Sequence, residues 1–208
     1  QARPEKMINA EIETGKVELS AESLKILSKA ETLPFDLRDM NVTLPTLLDY
    51  RPITLRNAKV YAIFKIREEV ANSFRNTLKN LDFYEFQAPT IVPANAEGGA
   101  QVFHIDYYDK DAYLAQSPQL YKQILVSAFE RVFTITNVFR AEPSVTTRHL
   151  AEYTSLDAEM GFIATWQDLM DTCEIVIKNI FSDLQKNCQN ELKLLGEKIP
   201  QITDKIPR

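Results

Sequence analysis

Apolar residues recur at steps of three and four in two long stretches of the chain. The first runs from Asn57 to Leu81 without glycine or proline, and its apolar positions are Val60, Ile63, Phe64, Ile66, Val70, Phe74, Leu78 and Leu81. The second runs from Thr165 to Leu195 and carries two helical signals, with a predicted buried stripe of Leu169, Cys173, Val176, Ile177, Ile180, Phe181 and Leu184. This spacing places the apolar side chains on one helix face. A shorter helix is predicted from Pro118 to Arg131.

Short runs between the helices have the alternation or the β-branched residues that are typical of strands. The strongest candidates are 132–136 and 154–163, and in the latter Leu156, Ala158, Met160 and Phe162 alternate with Ser155, Asp157, Glu159 and Gly161. Weaker candidates are 16–20, 24–27, 83–86, 102–105 and 112–115. Strands and helices do not alternate regularly, so we expect an α/β (α+β) fold with a mixed or antiparallel sheet flanked by helices.

Composition narrows the kind of nucleotide site that this chain could contain. Only 5 of the 208 residues are glycine, and no two of them have the spacing of a dinucleotide-binding turn or a P-loop. A nucleotide would therefore have to be held by side chains. The net charge of −5 gives no global basic field, but residues 51–80 carry seven Lys/Arg and two Asp/Glu, a local balance of +5. A solvated helix face explains that balance more simply than an anionic partner does.

The cysteines and the chain start bear on the cellular setting. Cys173 and Cys188 fit neither a disulfide framework nor a zinc site, so we expect no bound metal here and a reducing, cytoplasmic compartment. No apolar run approaches the roughly 18 residues that would span a membrane, and no membrane partner is expected. The chain begins with Gln1 rather than Met, which suggests a piece of a longer protein or a processed chain.

The densest polar cluster lies between the two strongest strand candidates and is predicted to be a strand–loop–strand hairpin at 139–152. It carries Arg140, Glu142, Arg148 and His149. Arginine recognises phosphate or carboxylate in a planar, bidentate way, so this group suits an anion with several oxygens. A salt-bridged surface hairpin is an equally good explanation from composition alone.

A second cluster, QSPQLYKQ at 116–123, lies where a strand leads into a helix. Gln119 and Lys122 are three residues apart and therefore share a helix face, which suits a small ligand with a carboxylate. Ser117 is either part of that site or only an N-cap. Glu97, followed by Gly98 and Gly99, lies in a loop that is a candidate mobile gate.

Taken together, these clusters resemble the class II aminoacyl-tRNA synthetases, and within them the archaeal and eukaryotic branch of the aspartyl-tRNA synthetases. The long helix ending at Leu81, with the strand after it and Pro89, resembles motif 1. The segments FRAE at 139–142 and TRHL at 147–150 resemble motif 2, and residues 155–160 resemble the strand that closes it. The segment at 116–123 resembles the aspartate-binding signature, and EGGA at 97–100 resembles the flipping loop.

The resemblance implies a role for each matching residue. Arg140 would contact the α-phosphate of ATP and the reacting carboxylate as the catalytic residue; Glu142, Arg148 and His149 would complete the ATP site. The aspartate site would be formed by Glu97, Ser117, Gln119 and Lys122, with Lys122 on the side-chain carboxylate. Pro89 would lie at a homodimer interface. The implied reaction activates aspartate with ATP and Mg²⁺ and transfers it to tRNA, and it needs no protein nucleophile.

The resemblance also implies domains and missing parts. Residues 1–36 are similar to the end of an OB-fold anticodon-binding domain, 37–56 to a hinge, and 57–208 to the first part of the catalytic domain. The Gly-rich motif 3, the magnesium ligands and a second substrate-reading arginine are absent, and are expected downstream of Arg208. We therefore expect this chain alone to be inactive.

Three alternatives stay open at this stage. An asparaginyl-tRNA synthetase is disfavoured by Lys122, because a cation suits a carboxylate better than an amide. An asparagine synthetase paralogue is harder to exclude and is opposed only by the OB-like residues 3–35. A non-catalytic truncated paralogue that dimerises or binds RNA would be favoured if the natural gene lacked motif 3.

Overall fold

The computed structural model describes residues 1–12, 14–37, 41–94, 101–143, 146 and 149–202. Within it the chain divides into two compact units, Gln1–Asn41 and Val42–Arg208. In the first unit, a 3-10 turn at Glu5–Met7 and a single antiparallel bridge between Ala2 and Val17 are the regular structure among its described residues.

The predicted strand at 24–27 does not form. Leu24 and Leu27 are 87% and 89% exposed, and no described residue pairs with them. The predicted strand at 16–20 is reduced to the bridge at Val17. A strand needs a neighbour to accept its backbone hydrogen bonds, and the described part of this unit supplies one only at Ala2. The alternation of polar and apolar residues in these two segments was therefore not sufficient to predict a strand.

The second unit begins with three helices, of which only the last has a strong apolar period. The short helices α1 (Leu44–Asp49) and α2 (Arg51–Thr54) lie within residues 37–56, which resemble a hinge in the sequence, and each has a proline in its first turn. The long helix α3 (Ala58–Asn80) confirms the prediction for 57–81. It starts at Asn57, whose side chain accepts hydrogen bonds from the backbone N–H groups of Lys59 and Val60.

Two three-stranded sheets follow. The first has the order β1 (Tyr84–Glu85), β5 (Arg131–Phe139), β6 (Glu152–Met160), and β1 runs parallel to β5. The second has the order β2 (Ile91–Val92), β4 (Lys110–Leu114), β3 (His104–Tyr107) and is antiparallel throughout. β5 and β6 pair antiparallel from Arg131↔Met160 to Phe139↔Glu152, which confirms the predicted hairpin.

The described part of this unit contains three further helices: α4 (Gln119–Phe129), α5 (Trp166–Asn187) and α6 (Gln189–Leu195). The mixed sheet flanked by helices is the predicted fold class. Its core is built from Phe74 and Leu78 of α3 together with Phe83 and Phe133, and the Phe74 and Phe133 rings meet edge to face at 5.8 Å.

The predicted buried positions are only partly correct. In α5, Val176 and Ile180 pack against the core and Leu184 is buried, but Cys173 is exposed and Leu169 and Ile177 are about two-fifths exposed. The stripe is too wide for all its members to face one neighbouring helix. Phe162, predicted inside β6, is 86% exposed, because the strand ends at Met160 and Phe162 has a positive φ of 55°.

Candidate functional site

The two faces of the β5–β6 pair have different chemistry. On one face, Ile135, Leu156 and Met160 pack with Phe133 against α3 and α5. Because successive side chains of a strand point to opposite faces, Asp157 and Glu159 project from the other face. That second face meets α4, and we call it the α4 face of the sheet.

Lys122 of α4 is held on this face by two carboxylates. Its Nζ lies 2.6 Å from Asp157 Oδ1 and 3.2 Å from Glu159 Oε2, and its side chain is only 9% exposed. Burial alone would lower the pKa of Lys122, but the hydrogen bonds and charges of Asp157 and Glu159 outweigh it and raise the pKa. Lys122 is therefore a buried ammonium that keeps its proton at neutral pH.

Ser117 and Gln119 lie just before Lys122, at the start of α4. Ser117 Oγ accepts a hydrogen bond from Gln119 N at 3.2 Å. The N-cap of α4 is Pro118, so the N-cap role considered for Ser117 is wrong and this contact is a local turn ahead of the helix. Both side chains are half-buried. A cavity of about 20 Å³, the size of one water molecule, adjoins Ser117 and is also lined by Gln116, Leu120 and Tyr121.

Arg140 follows the last residue of β5. Its backbone N–H donates to Ala151 O across the hairpin at 2.9 Å, and its guanidinium lies 5.7 Å from the centre of the Tyr153 ring. Its Nε is buried and has no hydrogen-bond partner among the described residues. A buried charged donor of this kind is costly to leave unpaired, so the position suits an anionic ligand.

Glu142 and His149 approach each other on the same hairpin. His149 Nε2 lies 4.0 Å from Glu142 Oε2, while His149 Nδ1 and Thr146 Oγ1 are 2.7 Å apart. The structure thus brings Arg140, Glu142 and His149 to one end of the β5–β6 pair. The roles predicted for all of these residues stay predictions.

Three further residues belong to the predicted site or dimer interface: Glu97, Arg148 and Pro89. Glu97 and Arg148 lie outside the described residues. Pro89 is exposed and lies between β1 and β2. Its role at a dimer interface stays a prediction.

Sequence reasoning missed Asp157, Glu159 and Tyr153 as candidate site residues. Their signal was present, because the alternation in β6 already separated Asp157 and Glu159 from the apolar positions. It did not show which helix that face meets. Among the described residues, no group of three or more His, Cys, Asp or Glu side chains is placed to hold a metal ion. None of the described helices is both long and apolar enough to cross a membrane.

Comparison with known proteins gives a consistent family. The family model for class II tRNA synthetases (D, K and N) matches residues 43–208. The aspartate–tRNA(Asp/Asn) ligase of Deinococcus radiodurans is 46% identical over 197 residues, which cover 93% of this chain and 45% of that protein. The cytoplasmic aspartate–tRNA ligase of Caenorhabditis elegans is 46% identical over 160 residues, 76% of this chain and 30% of that protein. The chain thus spans less than half the length of these relatives.

Solved structures show the same fold. An asparaginyl-tRNA synthetase of Pyrococcus horikoshii, complexed with asparaginyl-adenylate, superposes with a TM-score of 0.80 at 31% identity, covering 86% of this chain and 41% of that one. An aspartyl-tRNA synthetase of Entamoeba histolytica gives a TM-score of 0.62 at 33% identity, covering 79% of this chain and 30% of that one.

Proposed function

The chain belongs to the class II tRNA synthetases of the D, K and N family, and we propose that it is part of a longer enzyme that activates aspartate with ATP and transfers it to tRNA. The names of the curated relatives support aspartate as the amino acid. In this reaction the aspartate α-carboxylate attacks the α-phosphorus of ATP, the bond to pyrophosphate breaks, and an aspartyl-adenylate forms. The tRNA terminal hydroxyl then displaces AMP.

The observation that carries this proposal is the ammonium of Lys122. An ammonium group has three N–H donors, and Asp157 and Glu159 account for two of them among the described residues. These carboxylates fix the ammonium in place and leave a third donor for a ligand. A carboxylate on the ligand side chain would accept from it with a charge-assisted hydrogen bond, whereas an amide would gain less. Ser117 and Gln119, one helical turn earlier, would contact the rest of the amino acid.

Arg140 is the residue that we propose stabilises the reacting phosphate. Its buried Nε lacks a described partner, so an anionic ligand there would satisfy a donor that the protein itself leaves unpaired. Negative charge on the α-phosphate oxygens increases during adenylate formation, and a fixed guanidinium stabilises that charge. Glu142 and His149, with Arg148, would contact the remainder of ATP.

Mg²⁺ is expected with ATP in this family, but the described residues contain no group that fits it. We therefore assign it no ligand here and derive no step through it. We further propose a cytoplasmic homodimer. Two exposed apolar residues on α3, Tyr61 and Ile63, and the exposed Pro89 support such an interface. The free cysteines Cys173 and Cys188 are compatible with a reducing compartment.

ATP–pyrophosphate exchange with the complete protein tests the proposed function. We expect exchange that depends on aspartate, and aspartylation of tRNA in a second assay. Exchange with asparagine and not with aspartate would contradict the proposal and favour the asparaginyl alternative. The 208-residue chain by itself is expected to show no exchange, and rapid exchange by this chain would contradict that expectation.

A further inference from the structure

The carbonyl oxygen of Gln101 lies where the two proposed ligand-binding segments meet. It accepts one hydrogen bond from Ala141 N at 3.0 Å and another from the side-chain amide of Gln116 at 3.2 Å. Ala141 directly follows Arg140, and Gln116 directly precedes Ser117. One backbone oxygen therefore connects the segment proposed to bind ATP with the segment proposed to bind the amino acid.

The backbone directly before Gln116 is fixed by two hydrogen bonds of Ala115. Ala115 N donates to Thr90 O at 2.8 Å, and Ala115 O accepts from Phe139 N at 2.9 Å. Gln116 itself is only 4% exposed. If the hydrogen bond to the Gln101 carbonyl broke, water could not readily take the place of that carbonyl as acceptor for the buried Gln116 amide. A change in the position of Gln101 is therefore transmitted to the Gln116 side chain.

The two hydrogen bonds on the Gln101 oxygen have separable consequences. A carbonyl oxygen has two lone pairs, and here each has a protein donor. Removing the Gln116 amide leaves the bond from Ala141, so the local fold has no reason to be lost. What disappears is the direct constraint between the residue before Ser117 and the residue after Arg140.

We propose that Gln116 is a positioning residue whose side-chain amide couples the aspartate-binding segment to the ATP-binding segment, so that each substrate strengthens the binding of the other. The proposal rests on the function proposed above for the same site. A ligand that orders Arg140 also orders Ala141 and the Gln101 carbonyl, and through Gln116 it orders the start of α4. By linkage, aspartate must then improve ATP binding by the same factor.

The test compares the complete protein with its Gln116→Met and Gln185→Met variants. Met matches the length of Gln but donates no hydrogen bond, and Gln185 is an exposed residue on α5, outside both ligand-binding segments, that serves as control. Calorimetry measures the Kd of aspartate with and without an ATP analogue whose bond to the leaving pyrophosphate cannot be cleaved. We expect the ratio of these two Kd values to fall at least about fivefold in Gln116→Met. The Kd of aspartate alone should change less than this ratio does, and the melting temperature should fall by about 2–4 °C relative to the control, as expected for the loss of one buried hydrogen bond.

A second variant addresses the case in which Gln116→Met does not fold. In Gln116→Glu the ionised carboxylate repels the Gln101 oxygen, but the protonated form can donate to it. Relative to the unaltered protein at the same pH, coupling should therefore be weaker at neutral pH and recover as the pH is lowered. Recovery of the melting temperature without recovery of the coupling would show that the role of Gln116 is merely structural.

The outcomes separate the two proposals. Exchange with aspartate together with unchanged coupling in the Gln116 variants would overturn the role of Gln116 alone. Absence of coupling in the unaltered protein would overturn it as well. If the unaltered protein shows no exchange with aspartate, the proposed function fails, and the role of Gln116 fails with it.

Discussion

Ser73 Oγ donates a hydrogen bond to Asp183 Oδ2 at 2.6 Å and thereby joins α3 to α5 behind the sheet. Two similar bonds flank it, Thr77–Asn179 and Glu69–Asn187. The three bonds are spaced four residues apart along each helix, and residue numbers increase along α3 as they decrease along α5. A spacing of four keeps all three on one face of each helix. The ladder therefore fixes the register of the two antiparallel helices that support the β5–β6 pair.

Ser73→Ala is expected to weaken this support by about 1 kcal/mol, the usual net value of a hydrogen bond. A change of 1.4 kcal/mol corresponds to a tenfold change in an equilibrium constant, so a loss of about 1 kcal/mol corresponds to about fivefold. Hydrogen–deuterium exchange of the α3 and α5 backbone amides should therefore be roughly fivefold faster. Ser127→Ala, which changes an exposed hydroxyl on α4, should leave α3 unchanged. In a double-mutant cycle with Asp183→Ala the two effects should not add, and full additivity would contradict the coupling.

Lys122→Met is expected to raise the KM for aspartate roughly 10- to 100-fold in the exchange reaction, because one hydrogen bond between charged groups is lost. The variant also leaves Asp157 and Glu159 without their cation, so these two carboxylates would repel the side-chain carboxylate of aspartate. Binding of asparagine, whose side chain is neutral, should change less.

Lys193→Met is the matched control, because Lys193 is exposed on α6. It should leave the aspartate KM unaltered. If Lys122→Met retained the original KM for aspartate, the proposed contact with the substrate side chain would be wrong, even if the ion pairs were important for folding.

The same ion pairs predict a pH dependence of stability. The folded-state pKa of Lys122 lies above its ordinary value of 10.5, so the folded protein holds this proton more tightly than the unfolded chain does. The stabilisation is fully present below pH 10.5 and is lost as the pH rises through the folded-state pKa. Above about pH 10.5 the melting temperature should therefore fall more steeply in the unaltered protein than in Lys122→Met. Parallel curves would contradict this.

The sequence predicted elements best where one segment carried its own signal. The apolar period of 57–81 gave α3 to within a residue at each end, and alternation separated Asp157 and Glu159 from Leu156 and Met160. Predictions that needed a distant partner were weaker. The strand at 24–27 lacks a described neighbour, and the α5 stripe depended on which of its residues would face α3.

The candidate site shows the same limit. QSPQLYKQ and FRAE were recognised as motifs, but spacing does not reveal that Lys122 is paired with two carboxylates, because Asp157 and Glu159 are more than thirty residues away in the sequence. The role of Gln101 was also hidden, since its contribution is a backbone carbonyl and no side-chain pattern marks it. Tertiary contacts of this kind are set by how α4 meets the sheet.

Arg140→Gln is expected to slow ATP–pyrophosphate exchange by roughly 100- to 1000-fold, the usual effect of removing one donor to a developing negative charge. Glutamine keeps a hydrogen-bonding group but loses the positive charge and the bidentate guanidinium. Arg140 would also contact the reacting carboxylate of aspartate, but Lys122 and the start of α4 are untouched, so the Kd of aspartate measured without ATP should rise by no more than about tenfold. Arg56→Gln removes an exposed arginine ahead of α3 and should leave exchange unchanged. An Arg140→Gln enzyme with normal exchange would show that this guanidinium does not act on the phosphate. Loss of both exchange and aspartate binding would indicate a collapsed hairpin instead, and hydrogen exchange of the β5 and β6 backbone amides would reveal such a collapse.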